Sequence, residues 1–361
     1  MISALLDGTP LLGRRTGIGR YTQNLLGALT ERDDVAVSAT AFTARGWRTV
    51  RTSVPAGVRT RAVPVPARAL RALWTRFEFP SVGLLGGRSD VFHGTNFILP
   101  PTGRAGGVLT IHDLAYLSNS DTVDTTSRSL LDLVPRGLRR AAAVCTPTRS
   151  VAEQIVEAYG PAVPDVVVTP LGVDEHWFSA DPSIADHPSI PADYFLFVGT
   201  REPRKDLATL SAAYGLLRNE LGDDAPALVL VGPEGWGAQQ RPEPGVLIVG
   251  FQPQSELRSI VARARALVMP SRDEGFGLPV LEALACGTPV IISAVPALLE
   301  VAGGHADVFP VGDVDGLRAL LVAAARSDPA AGRLSRIEHA RTWTWQACAA
   351  ATVRAYRIAT G

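Results

Sequence analysis

Two glutamates eight positions apart, Glu274 and Glu282, are the acidic residues whose surroundings best suit chemistry in this sequence. They lie in the stretch SRDEGFGLPVLEALACGTPVI, residues 271–291, which follows an apolar strand pattern and opens a helix pattern. Gly275 and Gly277 permit a tight turn at this junction, and the free N–H groups of a helix N-terminus suit a diphosphate. A solvated surface position is the alternative for either glutamate alone, but the pairing across a glycine turn favours a carboxylate site.

A basic pair, Arg204 and Lys205, lies in the stretch FVGTREPRKDLATL, residues 197–210, between a strand pattern and a helix pattern. Asp206 carries the short carboxylate that is typical of a helix N-cap. Cations at such a junction suit a diphosphate, which gains negative charge as it leaves. On the residues alone a surface pair that flanks a cap is the simpler interpretation, while Lys205, the only lysine among 35 basic residues, keeps a functional ammonium open.

The stretch TGIGRYTQNLL, residues 16–26, places Gly17 and Gly19 at the start of a helix pattern, where the main chain can approach an anion closely. A dinucleotide-binding fingerprint needs a third glycine, and Thr22 stands in its place. This spacing argues against an NAD-dependent oxidoreductase and leaves the ligand of the loop open.

A histidine and an aspartate, His112 and Asp113, end an apolar run in the stretch VLTIHDLAYL, residues 108–117. An imidazole at the end of a strand can serve a reaction centre, whereas an isolated histidine at the edge of a core is more often satisfied by its neighbours. The residues alone leave both interpretations open, with Asp113 expected to support the loop.

Together these motifs resemble the retaining glycosyltransferases of GT-B fold, family 4 of the glycosyltransferase classification. The family signature is a glutamate, seven residues and a second glutamate in an EGFGLPxLEAxAxGxPV context, and Glu274 to Glu282 match it. The resemblance implies that Glu274 contacts hydroxyls of the donor sugar and that Glu282 holds the ribose of the nucleotide. It also implies that His112 reaches the donor sugar or the reaction centre, which makes Glu274 and His112 the expected catalytic residues.

The same resemblance implies a donor site made of glycine loops, main-chain N–H groups and the basic pair. In it, the main chain at the end of the run VLIVG, residues 246–250, contacts the base of the nucleotide. The implied donor-binding residues are Gly17, Gly19, Arg204, Lys205, Gly250, Phe251, Gly275, Phe276, Gly277, Leu278 and Glu282. Family members with the form G-T-x-E-P-R-K, present here at residues 199–205, often transfer mannose. GDP-mannose is therefore the first expected donor.

Short apolar runs alternate with helix patterns along nearly the whole chain, which indicates an α/β protein with doubly wound parallel sheets. The resemblance implies the GT-B form of this class, in which two Rossmann-like domains face a cleft. The predicted strands cover residues 35–42, 91–93, 108–111, 144–146, 166–168, 194–198, 227–231, 246–249, 266–269 and 289–292.

The stretch 179–192 contains three prolines without periodicity and predicts a linker. We therefore expect an N-terminal, acceptor-side domain over residues 1–178 and a C-terminal domain that binds the nucleotide sugar over residues 193–342. A final helix, about residues 343–361, is expected to pack back on the N-terminal domain.

Composition indicates a globular protein, with 46% hydrophobic and 19% charged residues. Basic and acidic residues both number 35, so no general attraction to nucleic acid is expected. The three cysteines lack metal-ligand spacing, the N-terminus lacks a signal-peptide core, and no segment has the length and apolarity of a membrane span. We expect a cytoplasmic protein without a nucleic-acid partner.

Residues 35–77 contain eight arginines and neither aspartate nor glutamate. A solvated face is the simple interpretation of such a run. The functional interpretation is a surface for a phosphorylated substrate or an anionic membrane, with peripheral contact through the arginines of residues 45–76 at the inner face of the membrane.

No Asp-x-Asp triplet ends a predicted strand, since Asp313-Val314-Asp315 lies in a predicted surface loop. We therefore expect no cofactor and no essential metal. The resemblance implies a retaining front-face reaction, in which the acceptor hydroxyl gives its proton to the departing phosphate. The expected partners are a nucleotide sugar and a glycan, lipid-linked or small-molecule acceptor. The alternatives are an epimerase or hydrolase of nucleotide sugars with this fold, and a nucleotide-sugar-binding subunit without activity.

Overall fold

A computed structural model of the chain describes residues 1–13, 17–44, 48–61, 64–118, 125–180, 190–235 and 243–361. The chain divides into two compact units. Unit 1 consists of residues 1–172 together with residues 344–361, and unit 2 consists of residues 173–343. Each unit is built on one parallel β-sheet with helices packed against it.

The strands of the described residues are β1 (Ile2–Asp7), β2 (Val35–Thr40), β3 (Arg59–Thr60), β4 (Val91–Gly94), β5 (Gly106–Thr110), β6 (Ala143–Thr146), β7 (Asp165–Val168), β8 (Tyr194–Val198), β9 (Ala227–Val231), β10 (Val246–Gly250), β11 (Ala266–Met269), β12 (Val290–Ser293) and β13 (Asp307–Phe309). The α-helices are α1 (Gly17–Thr30), α2 (Val50–Ser53), α3 (Ala67–Trp74), α4 (Val82–Gly86), α5 (Ala115–Ser118), α6 (Thr125–Arg140), α7 (Arg149–Tyr159), α8 (Glu175–Phe178), α9 (Leu207–Leu221), α10 (Gln254–Arg263), α11 (Leu278–Cys286), α12 (Pro296–Ala302), α13 (Val314–Arg326), α14 (Arg333–Arg341) and α15 (Trp345–Thr360). Short 3-10 helices span Thr9–Leu11, Gly160–Ala162, Pro203–Lys205 and Gly222–Asp224.

The sheet of unit 1 has the strand order β3-β2-β1-β4-β5-β6-β7, and all of its pairs are parallel. β4 and β6 are buried along their whole length, as expected for strands covered on both faces. The chain order reverses between β1 and β4, so the loops that follow these strands diverge at the carboxyl edge of the sheet. His112 lies at the same edge, directly after β5.

The sheet of unit 2 has the strand order β10-β9-β8-β11-β12-β13, again with parallel pairs throughout. Its chain order reverses between β8 and β11, which pair directly through Ala266 with Phe195 and Leu267 with Leu196. The loop after β8 and the loop after β11 therefore start side by side. These two loops carry Lys205 and Glu274.

The last helix, α15, belongs to unit 1, where it packs on α1, β5, β6 and β7. A Cβ atom at Gly172 would lie 2.2 Å from the main-chain nitrogen of Trp345, so only glycine permits this close approach. Thr344 caps the helix by accepting a hydrogen bond of 3.1 Å from the N–H of Ala347. Among the described residues, no helix has the length and apolarity needed to cross a membrane.

The division of the chain differs from the expected boundary at residue 178 by six residues. The segment 173–178 belongs to unit 2 because α8 packs against α11, and the thiol of Cys286 lies 3.4 Å from the carbonyl of Trp177. Most of the predicted linker, residues 181–189, lies outside the described residues.

Candidate active site

The junction between β11 and α11 is held by a glycine in the left-handed region. Gly277 has φ +95° and ψ 51° and stands immediately before the first residue of α11, Leu278. A Cβ atom at position 277 would lie 2.5 Å from Cδ2 of Leu298, so both the backbone angle and the packing require glycine. Pro279 has no N–H, and the N–H groups of Val280 and Leu281 bond the carbonyl of Gly277 at 2.9 and 3.3 Å, which leaves the N–H groups of Gly277 and Leu278 to serve an anion at this helix start.

Glu274, in the loop before α11, is only 5% exposed and is surrounded by donors. Lys205 Nζ lies 2.5 Å from its Oε1, and Arg204 Nη1 lies 3.0 Å from its Oε2. The hydroxyl of Ser271 donates a third hydrogen bond, of 2.8 Å, to Oε1. The structure thus brings together three residues that the sequence singled out, Glu274, Lys205 and Arg204, and a fourth, Ser271, that it did not.

The charges around Glu274 determine its protonation. Burial raises the pKa of this carboxyl, but the charges of Lys205 and Arg204, with hydrogen bonds from Lys205 and Ser271, outweigh burial and lower the pKa from its usual 4.5 to about 2. Glu274 is therefore ionised at neutral pH. It can orient hydroxyl groups and stabilise positive charge, but it cannot donate a proton there.

Arg204 and Lys205 both lie on the 3-10 helix between β8 and α9, and carboxylates already engage them. Arg204 binds Glu202 through Nε at 2.6 Å, besides its contact with Glu274. Lys205 is only 8% exposed. A diphosphate that binds these cations must therefore share them with Glu274 or draw Arg204 away from Glu202.

The predicted N-cap, Asp206, is confirmed. It adopts a left-handed conformation, with φ 48° and ψ 46°, and its side chain accepts hydrogen bonds from the N–H and the hydroxyl of Thr209 at 3.4 and 2.8 Å. Arg272, from the loop that carries Glu274, pairs with Asp206 at 2.9 Å. This contact and the cation–Glu274 contacts tie the two loops together.

The remaining donor-site candidates of unit 2 occupy different environments. Glu282 lies on the second turn of α11 and is 4% exposed. Gly250 ends β10 with φ +75° and open space beside its Cα, and the ring of Phe251 after it is 47% exposed. The ring of Phe276 packs edge to face on Trp343, with centroids 5.5 Å apart, so only its main chain is available to a ligand. Gly275, between Glu274 and Phe276 in the loop before α11, is buried.

In unit 1, His112 lies at the end of β5 and is held by the loop after β4. Its Nε2 lies 2.8 Å from the carbonyl oxygen of Thr95, which can only accept, so Nε2 carries the proton of the neutral ring. Burial lowers the pKa of His112 and favours that neutral form. Tyr21 and Phe97 pack edge to face on the ring at 4.9 and 5.5 Å between centroids, and Asp113 accepts from the N–H of Ala115 at 3.2 Å.

The glycine loop of unit 1 is described only from its helical end. Gly17 is the first residue of α1, and a Cβ atom there would meet no atom within 4 Å. Gly19 follows on the same turn and is buried. Residues 14–16 lie outside the described residues.

Sequence reasoning missed the residues that hold the reactive groups in place. Ser293 donates a hydrogen bond of 2.5 Å to the carbonyl of Ser271 and so fixes the serine that binds Glu274. Phe97 has φ 59°, and its N–H bonds the carbonyl of Thr110 at 3.0 Å, which fixes the loop that holds His112. Ser271 lies inside the glutamate motif and could have been selected from it, whereas the sequence around Phe97 gives no comparable signal.

No group of three or more His, Cys, Asp or Glu side chains that could hold a metal ion is found among the residues that the structure describes. The site described above instead consists of one carboxylate, two cations and a helix N-terminus, all within unit 2. Such an arrangement can bind a diphosphate and order the hydroxyls of a sugar attached to it.

Both units match models of known families. Residues 16–172 match the glycosyl transferase 4-like domain, and residues 187–337 match the glycosyl transferases group 1. O-antigen chain mannosyltransferase B of Escherichia coli is 30% identical over 318 residues, which cover 82% of this chain and 81% of that protein. D-inositol 3-phosphate glycosyltransferase of Stackebrandtia nassauensis is 35% identical over 239 residues, 59% of this chain and 53% of that protein.

Solved structures share the fold at lower identity. Sucrose-phosphate synthase of Thermosynechococcus elongatus aligns with a TM-score of 0.73 and 21% identity over 99% of this chain and 98% of that one. HepE of Anabaena, in complex with UDP and glucose, aligns with a TM-score of 0.68 and 15% identity over 98% and 99% of the two chains. The chain therefore belongs to the glycosyl transferases group 1 and is a glycosyltransferase of GT-B fold with two Rossmann-like domains.

Proposed function

We propose that this glycosyltransferase is a retaining mannosyltransferase that takes GDP-mannose and needs no metal ion. The observation that carries the proposal is the contact of Glu274 with Lys205 and Arg204 at the junction of β8 and β11. An ionised carboxylate between two cations suits a substrate with hydroxyls at one end and a diphosphate at the other. The relationship to a mannosyltransferase of Escherichia coli supports mannose as the sugar.

In the proposed reaction the bond between the anomeric carbon and the phosphate oxygen breaks, and the acceptor oxygen bonds to the anomeric carbon from the same face. The acceptor proton passes to the departing phosphate oxygen, so the chain supplies no general base. Arg204, Lys205 and the N–H groups of Gly277 and Leu278 stabilise charge on the diphosphate. Glu274 orients the sugar and stabilises its positive charge.

Other residues bind parts of the donor in this proposal. Glu282 holds the ribose, main chain at Gly250 and Phe251 reads the base, and the glycine loop of α1 contacts the phosphates. His112, neutral and with Nδ1 free of the proton, accepts a hydrogen bond from a sugar hydroxyl. The acceptor is a glycan, a lipid-linked sugar or a small molecule with a hydroxyl group.

A two-stage experiment tests the proposal. Melting temperatures of the purified protein are measured with GDP-mannose, UDP-glucose and the free nucleotides, because a bound ligand raises apparent stability by mass action. The donor that binds is then incubated with candidate acceptors in EDTA, and the product is analysed by NMR at the anomeric position. Transfer with retained configuration supports the proposal. Inverted configuration would overturn the retaining mechanism, a need for added metal would overturn metal independence, and a preference for another sugar would overturn GDP-mannose as the donor.

The same experiment separates the two alternatives. An epimerase or hydrolase would convert the donor at full rate without any acceptor. A binding subunit without activity would show the donor-induced shift in melting temperature but would transfer sugar to none of the candidate acceptors.

A further inference from the structure

A buried carboxylate with no role in the proposed reaction lies against one of the two cations of the site. The side chain of Glu202 is only 8% exposed, and its Oε1 lies 2.6 Å from Nε of Arg204. Glu202 stands immediately before the 3-10 helix that carries Arg204 and Lys205, with the extended backbone that a residue before proline prefers. Its carbonyl accepts a hydrogen bond of 3.0 Å from the N–H of Lys205. The turn that supplies the two cations therefore also supplies this carboxylate.

Arg204 is also held in place by bonds that do not involve Glu202. Its Nη1 lies 3.0 Å from Oε2 of Glu274 and 3.2 Å from the carbonyl oxygen of Asp273. Its own carbonyl accepts a hydrogen bond of 2.8 Å from the N–H of Arg272. The loop after β11 thus fixes both the main chain and the guanidinium of Arg204. Because these bonds position the arginine, the distinct contribution of Glu202 is its negative charge.

The charges of these ion pairs balance. Glu202 and Glu274 carry one negative charge each, and they pair with Arg204 and Lys205, which carry one positive charge each. The side chain of Arg204 is 29% exposed and those of the other three are 10% exposed or less. Salt screens such partly buried charges much less than surface charges. Without Glu202 the same four positions would carry one net positive charge toward any anion bound beside them.

We infer that Glu202 limits the affinity of this site for the nucleoside diphosphate product and so speeds its release. The inference rests on the proposed function, in which Arg204 and Lys205 receive the diphosphate. The product carries about one more negative charge than the donor, because its terminal phosphate is no longer esterified to the sugar. A carboxylate paired with Arg204 therefore opposes the product more strongly than the donor. Release of product sets kcat in many enzymes, so this difference favours turnover.

Glu202→Gln tests the inference in the purified full chain, because the amide oxygen can still accept from Nε of Arg204 while the charge is lost. GDP, UDP, GDP-mannose and UDP-glucose are each titrated by calorimetry. We expect the variant to bind the nucleoside diphosphate about tenfold more tightly and its sugar ester about threefold more tightly than the wild type does. Damage to the site would weaken both ligands, so a gain in affinity cannot come from a merely structural role of Glu202.

The rate of product release is measured directly by stopped-flow displacement of a fluorescent analogue of the same nucleoside diphosphate. It should fall about tenfold in Glu202→Gln, because changes at one interface alter dissociation more than association. Glu202→Asp keeps the charge on a side chain that is one methylene shorter. This variant should return the product affinity and the release rate to within about threefold of the wild-type values.

Glu220→Gln is the matched control, since it removes the same charge from a glutamate that pairs with Arg318 at 2.7 Å on the surface of unit 2. It should bind product and donor like the wild type.

The inference is overturned if Glu202→Gln binds the product no more tightly than the wild type does, or if Glu202→Asp binds it as tightly as Glu202→Gln. A wild type that binds UDP in place of GDP would overturn the proposed donor alone, because the variants are then compared with UDP. A wild type that binds neither nucleotide would overturn both the proposed function and this inference.

Discussion

At the scale of single residues, the charge state of Glu274 limits what it can do. A general acid at neutral pH needs a raised pKa, which burial in an apolar site provides. Here the nearby cations Lys205 and Arg204 reverse the effect of burial. In the proposed reaction Glu274 therefore acts as a fixed negative charge toward a sugar that becomes positive, and the cations that keep it ionised are those proposed to receive the diphosphate.

Glu274→Gln is expected to lower kcat roughly 100- to 1,000-fold, because the amide keeps the size of the side chain but loses the charge that stabilises the transition state. Steady-state kinetics measure this change, and circular dichroism checks the fold. Glu220→Gln is the matched control, since it removes an ion-paired glutamate on the surface of the same unit. Equal kcat values for the two variants would remove Glu274 from the catalytic residues.

Lys205 is expected to act on Glu274 as well as on the diphosphate. Lys205→Met should lower kcat about thirty- to a thousand-fold. It should also raise the pKa of Glu274 from about 2, because the largest favourable charge beside it is gone. The acid limb of the plot of log kcat against pH then moves to higher pH.

Lys205→Arg keeps the charge but changes its shape from a compact ammonium to a planar fork. This variant should leave the acid limb closer to that of the wild type while its kcat stays impaired. If Lys205→Met changes kcat less than about threefold and leaves the acid limb in place, the single lysine has neither role.

At the scale of elements, continuous apolar runs predicted the central strands well, and short edge strands were missed. The predicted bounds of β8, β9 and β11 are those observed, because strands buried on both faces consist almost wholly of apolar residues. β3 has two residues, and β13 has two exposed residues among its three, so neither shows an apolar run. β1 does contain an apolar run, ISALL, but the prediction tested that run only as a signal-peptide core and not as a strand.

The site could be predicted in composition but not in its pairings. The glutamate motif and the basic pair are visible as residue types at strand ends, and parallel strands place such ends at one edge of a sheet. The contact between Lys205 and Glu274 joins residues 69 positions apart, and it depends on β8 being the neighbour of β11. Strand order is not encoded in any local pattern, which is why the contacts of Lys205 and Arg204 with Glu274 appear only in the structure.

Gly277→Ala is expected to destabilise unit 2 and weaken donor binding, because the new methyl group meets Leu298 and displaces the start of α11. Gly304→Ala is the matched control, since Gly304 also has a positive φ, +85°, but has open space around its Cα. We expect Gly304→Ala to cost about 1 kcal/mol for the backbone alone and Gly277→Ala about 2–3 kcal/mol. Urea denaturation and donor titration measure the two effects, and equal losses in both variants would show that packing at Leu298 is irrelevant.

At the scale of the whole molecule, a buried polar network joins the end of the chain to the sheet of unit 1. Nδ1 of His93 on β4 lies 2.9 Å from the hydroxyl of Tyr356 on α15, and its Nε2 lies 2.6 Å from the hydroxyl of Thr110 on β5. Thr110 in turn lies 3.0 Å from the hydroxyl of Tyr21 on α1. Four elements drawn from the first third and the last helix of the chain thus share one set of hydrogen bonds, and Tyr21 also packs on His112.

The network makes stability depend on pH through His93. Burial lowers the pKa of His93 from its usual 6.5 to about 3, so the folded protein keeps this ring neutral while the unfolded chain protonates it below about pH 6.5. Stability is therefore lost as the pH falls through this range, by about 2 kcal/mol between pH 7.5 and pH 5 for this one group. Urea denaturation at pH 7.5 and pH 5 measures the loss.

His93→Gln keeps two hydrogen-bonding atoms but replaces the buried ring, so it should lower stability at pH 7.5. Because glutamine cannot titrate, the variant should lose about 2 kcal/mol less stability than the wild type between pH 7.5 and pH 5. His176→Gln is the matched control, because His176 is exposed on α8 and the variant should retain the wild-type dependence. Tyr356→Phe should cost roughly 1–3 kcal/mol at pH 7.5, since it leaves Nδ1 of His93 buried without its partner. If His93→Gln and the wild type lose the same stability between the two pH values, His93 is not the group that links folding of unit 1 to protons.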